Sequence, residues 1–177
     1  MKIIDFRVRP PLKGILKTAM YANAPRRDRF TQQLGLDPAP SARKKSMPML
    51  LAEMKAAGVT RGVIMARISD MLGSISNKDV AAICKAYPKL FVGIAGVDPT
   101  SRKAAVQEID ASMKAGFRGV TIEPGAYPIP IYADDRRLYP IYGHLEDRNI
   151  PVVIMTGGNA GPDLSYSSPI PIDRVGP

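Results

Sequence analysis

Val63, Val92, Val120 and Val153 each sit in a short apolar, β-branched run, and they are spaced 29, 28 and 33 residues apart. That repeat constrains the fold more than any other feature, because a strand, a crossover helix and the next parallel strand take about 30 residues. The runs cover 62–66, 90–97, 119–122 and 151–154, with a first one at 2–8. They are almost continuously apolar, as strands covered on both faces are. Helical patterns separate them. Residues 47–57 lead to Gly58 as a C-terminal stop. Residues 77–87 open on Asn77 as a cap and place Val80, Ile83, Cys84 and Tyr87 on one face. Residues 102–115 align Val106, Ile109 and Met113 and stop at Gly116, and Pro140 suits the first turn of a helix over 140–148. The class is α/β with a parallel sheet.

The polar residues decide between an open sheet and a barrel. No glycine-rich phosphate loop follows the first strand; Arg9-Pro10-Pro11 stands there instead, which argues against a dinucleotide or P-loop site. Arg7 and Arg9, Arg67, Asp98, Glu123, Thr156 and Asn159 fall just after successive runs. Active groups of (β/α) barrels lie at that end. The expectation is a partial TIM-like barrel of about five parallel strands, with 1–177 as a single incomplete barrel domain. A full barrel takes about 250 residues.

Composition narrows the function classes. The 177 residues carry a net charge of +9, concentrated in residues 1–60, where twelve Lys and Arg face four Asp and Glu. No zinc finger, RNP aromatic pair or recognition-helix pattern accompanies Arg26-Arg27-Asp28-Arg29 or Arg43-Lys44-Lys45. A solvated, partly mobile segment is therefore preferred to a nucleic-acid surface. No apolar stretch approaches the roughly 20 residues of a membrane span, and a cytoplasmic location is the expectation. With one cysteine, Cys84, a multi-thiolate metal site is excluded, and Cys84 reads as packing. The one histidine, His144, lies in a helix pattern away from the strand ends, so no Ser-His-Asp or Cys-His set can be built.

The stretches I-I-D-F-R-V-R-P-P, F-V-G-I-A-G-V-D-P, Y-A-D-D-R-R-L-Y-P-I-Y and I-P-V-V-I-M-T-G-G-N resemble the amidohydrolase-related (amidohydrolase 2) family. Its members are TIM-barrel, metal-dependent hydrolases, with aminocarboxymuconate-semialdehyde decarboxylase among their relatives. The resemblance implies Asp-x-His-x-His on the first strand; this chain keeps Asp5 but has Arg7 and Arg9 at the histidine positions. Where the family has a histidine before Thr-Gly, Met155 stands. The family's remaining ligands belong to strands six and eight, which the sequence does not reach.

Guanidinium has no lone pair to give a metal, so arginine replaces the charge of a metal and not its ligand. Arg7 and Arg9, two apart on a strand, would share one face. With Arg67 they are the expected substrate-binding groups of an anion-binding mouth, joined by Asn159 in a glycine turn. The alternative is that Arg7 neutralises Asp5 or Glu123. Glu123 is the candidate catalytic carboxylate; as a base it needs a raised pKa, whereas an arginine partner lowers it, and the ion pair is favoured. Asp98 before Pro99 reads as a turn or cap. No metal and no other cofactor is expected. The function expected is that of an amidohydrolase-related hydrolase or decarboxylase taking a small anionic, carboxylated or cyclic substrate. The competing expectation is a non-catalytic truncated barrel that binds an anion or only self-associates. Unpaired sheet edges make a homo-oligomer the expected state.

Overall fold

A computed structural model describes residues 2–157 and 163–176. Its strands are β1 (Ile3–Asp5), β2 (Val59–Met65), β3 (Phe91–Gly96), β4 (Val120–Ile122) and β5 (Val152–Ile154). All pair in parallel with their neighbours in the chain, giving the order β1-β2-β3-β4-β5. A doubly wound sheet would reverse direction at a switch point. This order never reverses, and the chain forms the five-stranded arc of a TIM-like barrel.

The helices between strands are α4 (Met47–Ala56), α5 (Asn77–Ala86), α6 (Arg102–Lys114) and α7 (Tyr139–Asp147). Gly58 at φ +70° and Gly116 at φ +94° follow the first and third of these, the left-handed exit that glycine takes without strain. Asn77 is not the cap of α5. Ser76 is, its hydroxyl accepting from the Asp79 amide at 3.1 Å. Asn77 instead bridges the backbone N–H and C=O of Gly96, both at 2.9 Å, and so ties the start of α5 to the end of β3.

Two outer cores lie between sheet and helices. Ile64, Phe91 and Ala95 pack with Met54, Val80 and Ile83, and Val120 and Ile122 pack with Ile109, Ile141 and Leu145. Full burial of one such aliphatic side chain stabilises by about 1.5–3 kcal/mol. Alternation along β2 sends Val63 and Met65 to the other face, where they meet Ile94, Val153 and Met155.

Between β1 and α4 the chain leaves the repeat. The basic stretch, read from sequence as a solvated segment, is largely helical, forming α1 (Ala19–Ala22), α2 (Ala24–Gln33) and α3 (Pro40–Lys44). Arg27 is held there by Asp28 and by the carbonyls of Met20 and Ala42. Most of the other charges in the stretch are exposed.

Candidate functional site

The first strand is shorter than its apolar run. β1 stops at Asp5, whose carboxylate accepts the Arg7 backbone N–H at 2.9 Å. Residues 6–7 turn, and Val8 resumes with an N–H to the Val63 carbonyl at 2.9 Å. Arg7 and Arg9 are therefore not successive in-facing positions of one strand, because the Asp5 turn interrupts it. They still border one pocket.

Arg67 arrives from the end of β2. Its backbone closes a small loop by exchanging hydrogen bonds with Ile75 at 2.9 and 2.8 Å, and its Nε donates to the Gly73 carbonyl at 3.3 Å. Gly73, at φ +80°, packs so closely on Thr18 that a Cβ would lie 2.9 Å from its Cα. The helical excursion thereby braces the Arg67 loop, an arrangement that only Gly73 hints at in the sequence.

Glu123 follows β4 and is 4% exposed. Arg7 Nη2 donates to its Oε1 at 3.1 Å, and Arg67 Nη1 lies 3.9 Å from its Oε2. The expected alternative of an Arg7–Glu123 ion pair is thus the arrangement found, with Asp5 turned to the backbone instead. Arg7 Nη1 also reaches the Met155 sulfur at 3.3 Å.

Arg9 differs from its neighbours. Its carbonyl accepts from the Tyr21 hydroxyl at 2.5 Å, but its guanidinium makes no hydrogen bond or ion pair with a described residue. Burial, then the charges of Arg7 and Arg67, push it down to about 10. It is still a cation at neutral pH, and a costly one. The cavity shared by Arg7, Arg9, Arg67, Met65, Ile75 and Glu123 is about 10 Å³, room for about one water. A larger ligand would meet these groups at the rim, where Arg7 is one-third exposed.

The other sequence candidates lie elsewhere. Asp98 accepts the Thr100 amide at 2.9 Å as a turn residue. His144 pairs with Asp110 at 2.9 Å between α7 and α6, and Cys84 packs beside the first outer core. Asn159 falls outside the described residues.

A family model described as amidohydrolase matches residues 4–175. The chain belongs to the amidohydrolase family. An uncharacterised TIM-barrel protein from Bordetella bronchiseptica is 50% identical with a TM-score of 0.93, over 99% of this chain and 62% of its own. A 5-carboxyvanillate decarboxylase from Novosphingobium aromaticivorans, solved with bound manganese, is 21% identical with a TM-score of 0.58, over 98% and 55%. A 2,6-dihydroxybenzoate decarboxylase from Rhizobium is 17% identical with a TM-score of 0.57, over 96% and 52%. At those identities the decarboxylases share the fold. The chain spans less than two thirds of the length of each of the three. No protein of curated function matches it.

A catalytic divalent metal of the kind the family implies does not fit the side chains at these strand ends. Such a centre needs about three donor ligands. Here Arg7, Arg9 and Met155 stand where donors are required, and both oxygens of Glu123 face guanidinia. Among the described residues no three His, Cys, Asp or Glu side chains converge.

Proposed function

We propose that this chain belongs to a hydrolase or decarboxylase that takes a small carboxylated or cyclic substrate by its carboxylate at Arg7, Arg9 and Arg67. One observation carries the reading: three guanidinia border one small cavity at the strand ends with a single carboxylate, Arg7 and Arg67 engage that carboxylate, and Arg9 has no acceptor among the described residues. Forked N–H groups match a carboxylate in geometry and charge. Glu123, engaged through both oxygens, acts here as the group that positions Arg7 and Arg67 rather than as a base. The family match supports the reaction class.

The test is a thermal melt of the purified protein with phosphate or a dicarboxylate. A ligand that binds the folded state raises the midpoint by mass action. Replacing Arg7 and Arg9 together by alanine abolishes the rise; a double variant that responds as the parent does sinks the proposal.

A second reading, self-association, draws on the sheet edges. Ile4 and Phe6 at β1 are 58% and 56% exposed, and Val152 on β5 is 38% exposed. Exposed apolar edges pair readily. Light scattering at micromolar concentration decides it, and a clean monomer removes this reading.

A further inference from the structure

Building on the carboxylate mouth just proposed, we infer that its ligand is a dianion, such as a short dicarboxylate, gripped at one end by the fork of Arg9. The inference comes from charge and from hydrogen-bond capacity. Three guanidinia carry three positive charges and Glu123 returns one negative, so the cluster holds two charges in excess. Arg67 is 6% exposed and Glu123 4%, while Arg7 and Arg9 are half-buried, so a mismatch of charge is screened less than it would be on the open surface. A monoanion leaves one charge uncompensated; a dianion leaves none.

Hydrogen-bond capacity assigns the roles within the cluster. Arg7 gives one nitrogen to Glu123 and another to the Met155 sulfur, and Arg67 gives its Nε to the Gly73 carbonyl while Nη1 faces Glu123. Both are already oriented. Arg9 has five N–H donors and no described acceptor for them, while its backbone is fixed by Tyr21. Its backbone is held, and its guanidinium, without an acceptor among the described residues, is available to a carboxylate at the rim of the cavity through two parallel bonds. The second negative charge then lies within reach of the outer side of Arg7, the most exposed of the ion-paired groups.

A guanidinium kept for structural reasons would stabilise the empty protein. Arg9 does the opposite by this argument, since it is desolvated among like charges and its carboxylate neighbour is shared. That separates a binding residue from a structural one by a measurement that involves no turnover.

The experiment titrates the full chain by calorimetry with malonate and with monomethyl malonate, which is similar in size and carries one charge fewer, at matched ionic strength. Malonate is expected to bind at least about tenfold tighter, the ratio that one charge-assisted hydrogen bond provides. Arg9→Ala should remove malonate binding and, in anion-free buffer, should melt no lower than the parent. Arg9→Lys, which keeps the charge without the fork, should lose about tenfold. Equal affinity for the two malonates overturns the dianion inference and leaves the carboxylate mouth standing. Failure of both to bind overturns mouth and inference together. An Arg9→Lys protein that binds malonate as the parent does, or an Arg9→Ala protein that unfolds more easily and still binds malonate, returns Arg9 to a structural role.

Discussion

Two carboxylates in this molecule each meet two basic side chains, and they differ in where they sit. Glu123, at the strand ends, is almost wholly buried between Arg7 and Arg67. Asp110, on the outer surface of α6, meets His144 of α7 and Arg148 just after that helix, with 34% of its side chain exposed. Water and salt can replace the partners of Asp110 at little cost, so such a pair contributes little. Nothing replaces the partners of Glu123. Removing one member of a buried set leaves an uncompensated charge in a poorly solvated place. The same chemistry therefore clasps two helices lightly at Asp110 and organises a site at Glu123.

The largest effect expected from breaking this contrast is at Glu123. Glu123→Gln leaves Arg7, Arg9 and Arg67 without a countercharge and should cost roughly 3–5 kcal/mol, read by urea unfolding. A loss as small as that for Asp110→Asn would show that burial does not separate the two sets.

Next in size is Thr121, two residues before Glu123 on β4 and so on the same face of the strand. Its hydroxyl oxygen is buried without a hydrogen-bond partner among the described residues. Thr121→Val should leave stability unchanged or raise it by up to about 1 kcal/mol. A clear loss would mean that the hydroxyl is satisfied by a bound water or ligand beneath the cluster.

Asp135 sharpens the comparison through pH. Arg137, hydrogen-bonded to it by side chain and backbone, holds its carboxyl down to about 2, against an ordinary 3.8. A folded pKa below the unfolded one gives stability that is complete above the unfolded value. It is lost as pH falls from near 4 through about 2. Asp135→Asn should therefore lack that part of the acid limb while matching the parent's slope above pH 5; an unchanged limb would remove the assignment.

The smallest effect is at Asp110 itself. His144 first, and then Arg148, hold its carboxyl below the usual range, so its contribution also fades toward acid. Asp110→Asn should barely move the midpoint at neutral pH, and the residue of the effect should vanish in about 1 M salt, where the screening length is near 3 Å. The Glu123→Gln deficit should persist there.

Much of the frame was legible because repetition is a property of the whole chain. The valine spacing, Gly58, Gly116 and the apolar faces of α5 and α6 report backbone and burial directly. The ends of elements were less legible. Asn77 and Ser76 are both good caps, and only the position of Gly96 in space decides which one serves. β1 was overextended because Asp5 can turn the chain locally through a side-chain bond that no period records. The segments α1 to α3 were missed as structure, since short polar helices braced by distant contacts carry little amphipathic signal. At the site, the residue types could be found at strand ends. That Glu123 engages Arg7 and Arg67 while Arg9 has no acceptor among the described residues depends on side-chain reach across several strands, which sequence spacing does not encode.

The unreversed strand order also sets a sequence of events in time. Each strand needs only the edge left by its predecessor, so from β2 onward the sheet can be laid down by contacts roughly one repeat apart, short separations for a parallel sheet. The Arg7–Glu123 bond is an exception, spanning 116 residues. It cannot close until β2, β3 and β4 are in place. Until then the three arginines remain hydrated and harmless, and their mutual repulsion arises only when the scaffold able to hold it already exists.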